Sequence, residues 1–317
     1  MKVLVLGIDG LEYELVNRWD IKVYKQSYYG KIDVRVAVRS GDPLYTPLIW
    51  GSFLLGKPSY LFGLSMEEIK EKRVRSLYGK FYFLFKLRKK FFGDRNLHLR
   101  GFLTKIGLAN LNEVIRNTPM IETLPPNVLK YTFIAEAEER GYRVFYTEFP
   151  ALKESRYAEM RACFSRYFTM PLDKKLSKLE EVFEYSSKLL SKTISVLADY
   201  DLLLYYTSVI DYAHHMLYRP TNLRYMVALY SIYKRLADLL AESIPENDDL
   251  CTLIISDHGY NPVKQEHSDY GFWSLNIKPP KTPRTILDMK DMILRFLNEG
   301  TGKTTYYSTD NRRENIC

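Results

Sequence analysis

The stretch that decides the fold is KVLVLGIDG, residues 2 to 10. Its apolar run is rich in Val and Leu and ends in Gly and Asp, which is typical of a parallel strand buried on both faces. The pattern therefore predicts a strand with Asp9 directly after its carboxyl end.

The same pattern recurs further along the chain, at YRVFYTEF (142 to 149), DLLLYYTSVID (201 to 211) and DLCTLIISDHG (249 to 259). Helical patterns lie between these runs, at 179 to 200 and 222 to 244, with apolar residues three and four apart. Strands that alternate with helices predict an α/β fold, a doubly wound and mostly parallel sheet with helices on both faces. Ligands bind such sheets beyond the carboxyl ends of the strands, so we expect Asp9, Asp211 and Asp257 to meet there.

Length and composition set the broad class of the protein. A chain of 317 residues with 46% hydrophobic content is long enough for one large domain, 1–317. No apolar run reaches the roughly 18 to 20 residues that cross a bilayer, and the first residues do not resemble a signal peptide, so we expect a cytoplasmic protein. The three cysteines lie far apart and predict neither a disulfide framework nor a thiolate metal site.

The net charge of +8 is concentrated in one segment, because residues 66 to 105 hold 12 Lys and Arg against four Asp and Glu. We predict that 65–125 forms an insertion or cap. Within it, KFYFLFKLRKKFF (80 to 92) interleaves bases with aromatic residues. That pattern fits an amphipathic cap helix, an interfacial membrane helix or a nucleic-acid platform, and the sequence leaves the three open.

The histidines are the strongest chemical signal. Four of the five lie in two short clusters that each begin with Asp, DYAHH (211 to 215) and DHGYNPVKQEH (257 to 267). Carboxylate and imidazole groups together suit zinc and similar divalent metals. Asp211 and His215 are four residues apart, so they share one face if the chain becomes helical after its strand.

A second signal is YTPLIWGSFLLGKPSYLFG, residues 45 to 63. Thr46 precedes a proline suited to the first helical position, so Thr46 is predicted at or near a helix N-cap. A helix N-terminus favours anions such as a phosphoryl group, and a hydroxyl there that faces a metal can become a nucleophile. An ordinary capping threonine is the alternative.

In order along the chain, the motifs are GIDG, the run TPLIWGSFLLG from Thr46, the D-x-x-x-H of Asp211, SDHG, and the H-x-x-x-G of His267. Together they resemble the type I phosphodiesterase and nucleotide pyrophosphatase branch of the alkaline phosphatase superfamily. The resemblance covers nearly the whole chain except roughly 65 to 125, and it implies an alkaline phosphatase-like fold.

The resemblance also implies a metal-dependent phosphoric-ester hydrolase that holds two divalent metals, with zinc first and Mn²⁺ or Mg²⁺ as alternatives. Thr46 would be the nucleophile and would form a phosphothreonine intermediate. One metal would be held by four residues, Asp9, Thr46, Asp257 and His258. The other would be held by Asp211, His215 and His267. His214 would either contact these ligands from behind, without binding the metal, or simply pack in the core.

Two positions depart from the pattern of nucleotide pyrophosphatases. Ile49 stands where those enzymes usually carry Asn, three residues after the nucleophile. His267 follows His258 by nine residues, a shorter spacing that is closer to the metal-dependent phosphoglycerate mutases of the superfamily.

The sequence leaves two further functions open. One is a phosphatase or phosphoryl-transfer enzyme that acts on a sugar phosphate or a phospholipid headgroup. The other is a non-catalytic relative that binds a polyanion through 66–105. The expected partner is a small phosphate ester, with nucleotide or membrane-surface contact through 66–105 and no obligate protein partner. A sulfatase is not expected, because no segment carries the C/S-x-P-x-R pattern of its nucleophile.

Overall fold

The computed structural model describes residues 1–78, 82–92, 123–153, 156–157, 159–160 and 167–299. Its strands are β1 Lys2–Ile8, β2 Tyr28–Asp33, β3 Val144–Tyr146, β4 Leu202–Thr207, β5 Leu250–Ile255, β6 Tyr260–Asn261, β7 Glu266–His267 and β8 Tyr270–Leu275. Its α-helices are α1 Tyr13–Arg18, α2 Lys22–Lys25, α3 Thr46–Leu55, α4 Met66–Tyr78, α5 Tyr82–Phe92, α6 Pro126–Leu129, α7 Phe133–Glu139, α8 Leu172–Ser195, α9 Val209–Leu217, α10 Leu223–Ser243 and α11 Asp288–Glu299.

Six of these strands form one sheet in the order β2-β8-β5-β1-β4-β3. Strands β3, β4, β1 and β5 run parallel, whereas β8 is antiparallel to both β5 and β2. Strands β6 and β7 pair separately as a short antiparallel ribbon. The prediction of an α/β fold with a mostly parallel sheet is confirmed.

Helices cover both faces of the sheet. Every residue of β4 and β5 is buried, which requires cover on each side. In β4, the hydroxyl of Tyr205 lies 2.5 Å from that of Ser186 on α8. The next residue, Tyr206, packs its ring against Trp50 of α3. Successive strand residues point to opposite faces, so α8 and α3 lie on opposite sides of the sheet.

Each face carries a group of helices that pack on one another. The first group consists of α3, α7 and α11, and the second of α8, α9 and α10. Their apolar side chains join those of the central strands in one hydrophobic core. The doubly wound arrangement therefore follows from the burial of both faces of β1, β4 and β5.

The order of the strands places the carboxyl ends of three of them side by side. β1 lies between β4 and β5, although β4 and β5 follow one another in this parallel part of the sheet. The chain therefore passes over β1 on its way from β4 to β5. Ligands bind such sheets beyond the carboxyl ends of the strands, so a site is expected where β4, β1 and β5 end together.

Two predicted elements differ in extent from the observed ones. The strand expected at 142 to 149 is limited to β3, and the helix expected at 179 to 200 begins earlier, at Leu172 after Pro171. Of the predicted insertion, α4 and α5 are described, whereas 79–81 and 93–122 lie outside the described residues. Across the described ranges, none of the helices combines the length and the apolar character that crossing a bilayer requires.

Candidate metal centre

The segments that follow β1, β4 and β5 carry the acids that the sequence places at strand ends. Asp9 follows β1 directly, and its backbone N–H donates to the carbonyl of Thr207 at the end of β4 (2.9 Å). Asp257 comes two residues after β5, and Asp211 lies in the first turn of α9. All three carboxylates are buried.

The first group of ligating atoms belongs to Asp211, His215 and His267. His215 follows Asp211 by one helical turn, and its Nε2 lies 3.3 Å from Asp211 Oδ1. His267 reaches the same oxygen from β7, with its Nε2 at 3.8 Å. The three ligating atoms lie within 4.8 Å of one another. This is the set that the resemblance assigns to one metal.

The second group consists of Asp9, Asp211 and His258. His258 Nε2 lies 3.0 Å from Asp9 Oδ1 and 3.5 Å from Asp257 Oδ2. Asp211 belongs to both groups, which the sequence did not predict. A shared carboxylate brings the two groups together as a single centre.

The orientation of His258 is set by its other ring nitrogen. Nδ1 lies 2.9 Å from the carbonyl of Gly259, so it carries the proton and donates it there. Nε2 therefore faces Asp9 and Asp257 and can hold either a second proton or a cation. The His258 ring also stacks on His267 with centroids 3.6 Å apart, which joins the β5 loop to the β7 hairpin.

Crowding of the carboxylates shifts the pKa of Asp257 and His258 in the same direction. Burial and the neighbouring Asp9 charge raise the pKa of Asp257 well above its usual value. Burial alone would lower the pKa of His258, but Asp257 and Asp9 outweigh it and raise that pKa to about 10. Both shifts mean that this side of the centre favours an added positive charge.

The other side of the centre behaves differently. Burial opposes ionisation of Asp211, but the neighbouring His215 charge outweighs it, and the pKa of Asp211 is lowered. Burial and the charge of His258 lower the pKa of His267 to about 4. A neutral His267 beside an ionised Asp211 is the protonation state that a metal ligand needs.

The donor set fits divalent metals. Apart from their contacts within the centre itself, the buried atoms Asp9 Oδ1, Asp211 Oδ1, both Asp257 carboxylate oxygens and His258 Nε2 lack hydrogen-bond partners in the described part of the chain. No Lys or Arg within those ranges forms an ion pair with the three carboxylates. Buried carboxylates without a cation are costly, and oxygen and imidazole ligands together suit zinc, manganese or magnesium.

No protein-family model matches the chain, and no curated protein matches it in sequence. A similar solved structure is that of the PH0037 protein from Pyrococcus horikoshii. It is 10% identical, with a TM-score of 0.46, and the match covers 96% of this chain and 99% of that chain.

Three residues around the centre, Tyr206, Ser256 and Gly10, hold its loops in place. Tyr206 donates to Asp9 Oδ2 at 2.5 Å. Ser256 accepts from the backbone N–H of Leu11 and donates to the His258 carbonyl, at 2.9 and 2.8 Å. Gly10 has a φ of +74°, and a Cβ there would lie 2.9 Å from the Cα of Asp211. Glycine is therefore required where the β1 loop meets α9.

A buried carboxylate, Glu12, fastens the hairpin that carries His267. Glu12 Oε2 accepts from the backbone N–H of Tyr260 at 2.6 Å and from the Ser268 hydroxyl at 3.4 Å. Its Oε1 accepts from the Tyr270 hydroxyl at 2.7 Å. Sequence reasoning missed Glu12, although a second acid three residues after Asp9 was the available signal.

His214 is oriented differently from its neighbour His215. It is buried, its Nε2 lies 2.8 Å from the Tyr233 hydroxyl, and its ring packs near Tyr218 and Tyr260. Burial lowers the pKa of His214 to about 3. Of the two roles open to it, packing agrees better with these contacts.

Thr46 begins α3 and is buried. The helix cap is Tyr45, so the helix starts one residue earlier than an N-cap at Thr46 would allow. Trp50, one turn later on the same face, packs on Tyr206, whose hydroxyl reaches Asp9. This chain of contacts ties the first turns of α3 to the centre, while the role of Thr46 stays a prediction.

Proposed function

We propose that the protein is a metal-dependent phosphoric-ester hydrolase of the phosphodiesterase or nucleotide pyrophosphatase type. The observation that carries the proposal is that two clusters of carboxylate and imidazole side chains share Asp211. Within the described residues, the carboxylates of these clusters have no Lys or Arg partners. The motif order that resembles the alkaline phosphatase superfamily adds support from the sequence.

The chain would bind its metals through two sets of residues. Asp9, Asp257 and His258 would hold one ion, together with Thr46, and the other would be held by Asp211, His215 and His267. When bound, two divalent metals would draw charge from the phosphate oxygens and lower the pKa of a nearby hydroxyl.

Thr46 would then act as the nucleophile. Its Oγ1 would form a bond to phosphorus as the bond to the leaving oxygen breaks, and the phosphothreonine would afterwards be hydrolysed. The N-terminus of α3 supports this role, because the positive end of the helix dipole favours an anion there.

A diester is the favoured substrate. Residues 40 to 56 around Thr46 contain no Lys or Arg, so the nucleophile segment itself offers no cation for the second charge of a monoester. A phospholipid headgroup or sugar phosphate is the second candidate, and the exposed basic and aromatic face of α5 favours the lipid. Non-catalytic polyanion binding is less well supported, because it leaves the buried centre without a role.

The test compares hydrolysis of aryl phosphate diesters and monoesters after chelator-stripped protein is supplied with zinc, manganese or magnesium. We expect metal-dependent turnover with the diester faster. Protein that binds none of the three metals would overturn the proposal.

Two matched variants test the nucleophile. Thr46→Ala should lower turnover by about a thousandfold or more, because a methyl group cannot attack phosphorus. Thr46→Ser keeps the hydroxyl and should retain most of the activity. If Thr46→Ala hydrolyses the diester at a near-normal rate at full metal loading, Thr46 is only a structural residue of the helix.

A further inference from the structure

Helix α5 presents an apolar stripe to solvent. Phe83, Leu87 and Phe91 are 61%, 52% and 70% exposed. They recur every four residues, so they lie along one face over about 12 Å of helix. Large apolar side chains aligned in this way on a surface mark an interaction site.

Contacts with α4 fix the orientation of α5 on the domain. The Tyr82 hydroxyl donates to Glu71 Oε1 at 2.6 Å, and Lys86 Nζ lies 4.0 Å from the same oxygen. Ile69 of α4 is buried in the core. The stripe is therefore held outward by a helix that is itself anchored to the domain.

The charge of α5 points to the partner. The sequence YFLFKLRKKFF has four Lys and Arg and no Asp or Glu. Lys86 and Lys90, each three residues after a member of the stripe, are exposed along its edge. A helix with Phe and Leu on one face and lysines beside it lies in the headgroup region of anionic bilayers.

We propose that α5 is an interfacial helix that places this protein on anionic phospholipid membranes. Phe83, Leu87 and Phe91 would enter the boundary of the acyl chains while Lys86 and Lys90 contact lipid phosphates. A nucleic acid is the weaker partner, because a stripe that includes Leu favours burial in a hydrocarbon boundary over stacking of bases. This inference does not depend on the proposed hydrolase activity.

The test is co-sedimentation of the full chain with two kinds of vesicle. One contains phosphatidylcholine with phosphatidylglycerol, and the other phosphatidylcholine alone. We expect binding to the anionic vesicles, weakened by salt, and little binding to the neutral ones.

The double variant Leu87→Ser/Phe91→Ser should lower the partition coefficient at least about tenfold. Its matched control is Leu223→Ser/Val227→Ser, an equally spaced pair on α10 that is 78% and 58% exposed. That control should bind as the parent does. Circular dichroism checks that both variants remain folded.

Lys86→Gln/Lys90→Gln should weaken anionic binding by about tenfold or more, because each lysine near such a surface contributes to attraction. The proposal fails if the parent protein does not bind anionic vesicles. It also fails if Leu87→Ser/Phe91→Ser binds them as well as Leu223→Ser/Val227→Ser does. It also fails if the loss in Leu87→Ser/Phe91→Ser appears for a single-stranded oligonucleotide but not for vesicles.

Discussion

Glu12→Gln tests whether the buried carboxylate that binds the β6–β7 ribbon sets the affinity of the candidate metal centre. The substitution keeps the length and shape of the side chain but replaces one acceptor oxygen by an NH₂ donor. Glu12 Oε1 accepts from the Glu14 N–H and the Tyr270 hydroxyl, at 3.0 and 2.7 Å, and Oε2 accepts from the Tyr260 N–H at 2.6 Å. An amide cannot serve all of these donors.

The expected cost follows from those bonds. A hydrogen bond to a charged acceptor contributes about 1.5 to 3 kcal/mol, against about 0.5 to 1.5 kcal/mol for a neutral one. Glutamine weakens the bond from the buried Tyr260 N–H and loses at least one bond at the other oxygen. We therefore expect the free energy of unfolding to fall by about 2 to 4 kcal/mol.

The same change should reach the candidate metal ligands. Tyr260 pairs with His267 in the β6–β7 ribbon, so loosening Tyr260 displaces a ligand of the Asp211 group. Residues that orient ligands typically change metal affinity by about 10- to 100-fold. A competition titration of zinc against a chelator should therefore show one weakened site and one site near its parental affinity.

The matched control is Glu14→Gln, two residues away on α1. Its carboxylate is exposed and pairs with Lys31 at the surface, so this variant should change neither stability nor zinc affinity measurably. Chemical denaturation without metal separates the stability effect from the binding effect. If Glu12→Gln binds both zinc ions as tightly as Glu14→Gln does, Glu12 supports the fold and does not position His267.

Three further outcomes follow from the structure. Asp257→Asn should lower metal occupancy and activity together, measured by metal analysis and diester hydrolysis, because an amide is the poorer ligand; unchanged metal content would argue against ligation. Gly10→Ala should destabilise the protein by clearly more than Gly141→Ala in urea denaturation. Both glycines have positive φ, but a Cβ at Gly10 meets Asp211 at 2.9 Å and one at Gly141 meets nothing within 4 Å, so equal losses would refute the clash. Burial and, to a smaller extent, the charge of Glu299 raise the pKa of Cys251 to about 12. Its thiol is therefore protonated at pH 8. In a variant whose other cysteines are replaced by serine, a thiol reagent should label Cys251 only when the protein unfolds. Rapid labelling of the folded protein would contradict this.

The sequence by itself determined the central architecture. The apolar runs of β1, β4 and β5 are local patterns that only a sheet covered on both faces can bury. The sequence alone therefore predicts these three strands. The positions of Asp9 and Asp257 follow directly, since each comes just after such a run. The spacing of Asp211 and His215 likewise predicts a shared helix face, which α9 provides.

The antiparallel edge of the sheet was not predicted, because β2 (YYGKID) and β8 (YGFWSL) each contain Gly and lack the continuous aliphatic runs that mark β1 and β5. Their pairing depends on residues far apart in the chain, such as Ile32 with Gly271. Strand order of this kind is set by tertiary packing and not by periodicity.

Only the tertiary structure decided how the candidate ligands group. The sequence assigned Asp211 to one metal, whereas the crossover that puts β1 between β4 and β5 lets its carboxylate serve both groups. Glu12 acquires its role because the hairpin after β5 folds back over α1, a contact between residues about 250 positions apart. Local chemistry selects which side chains can bind a metal, but the distances between them arise from non-local strand pairing.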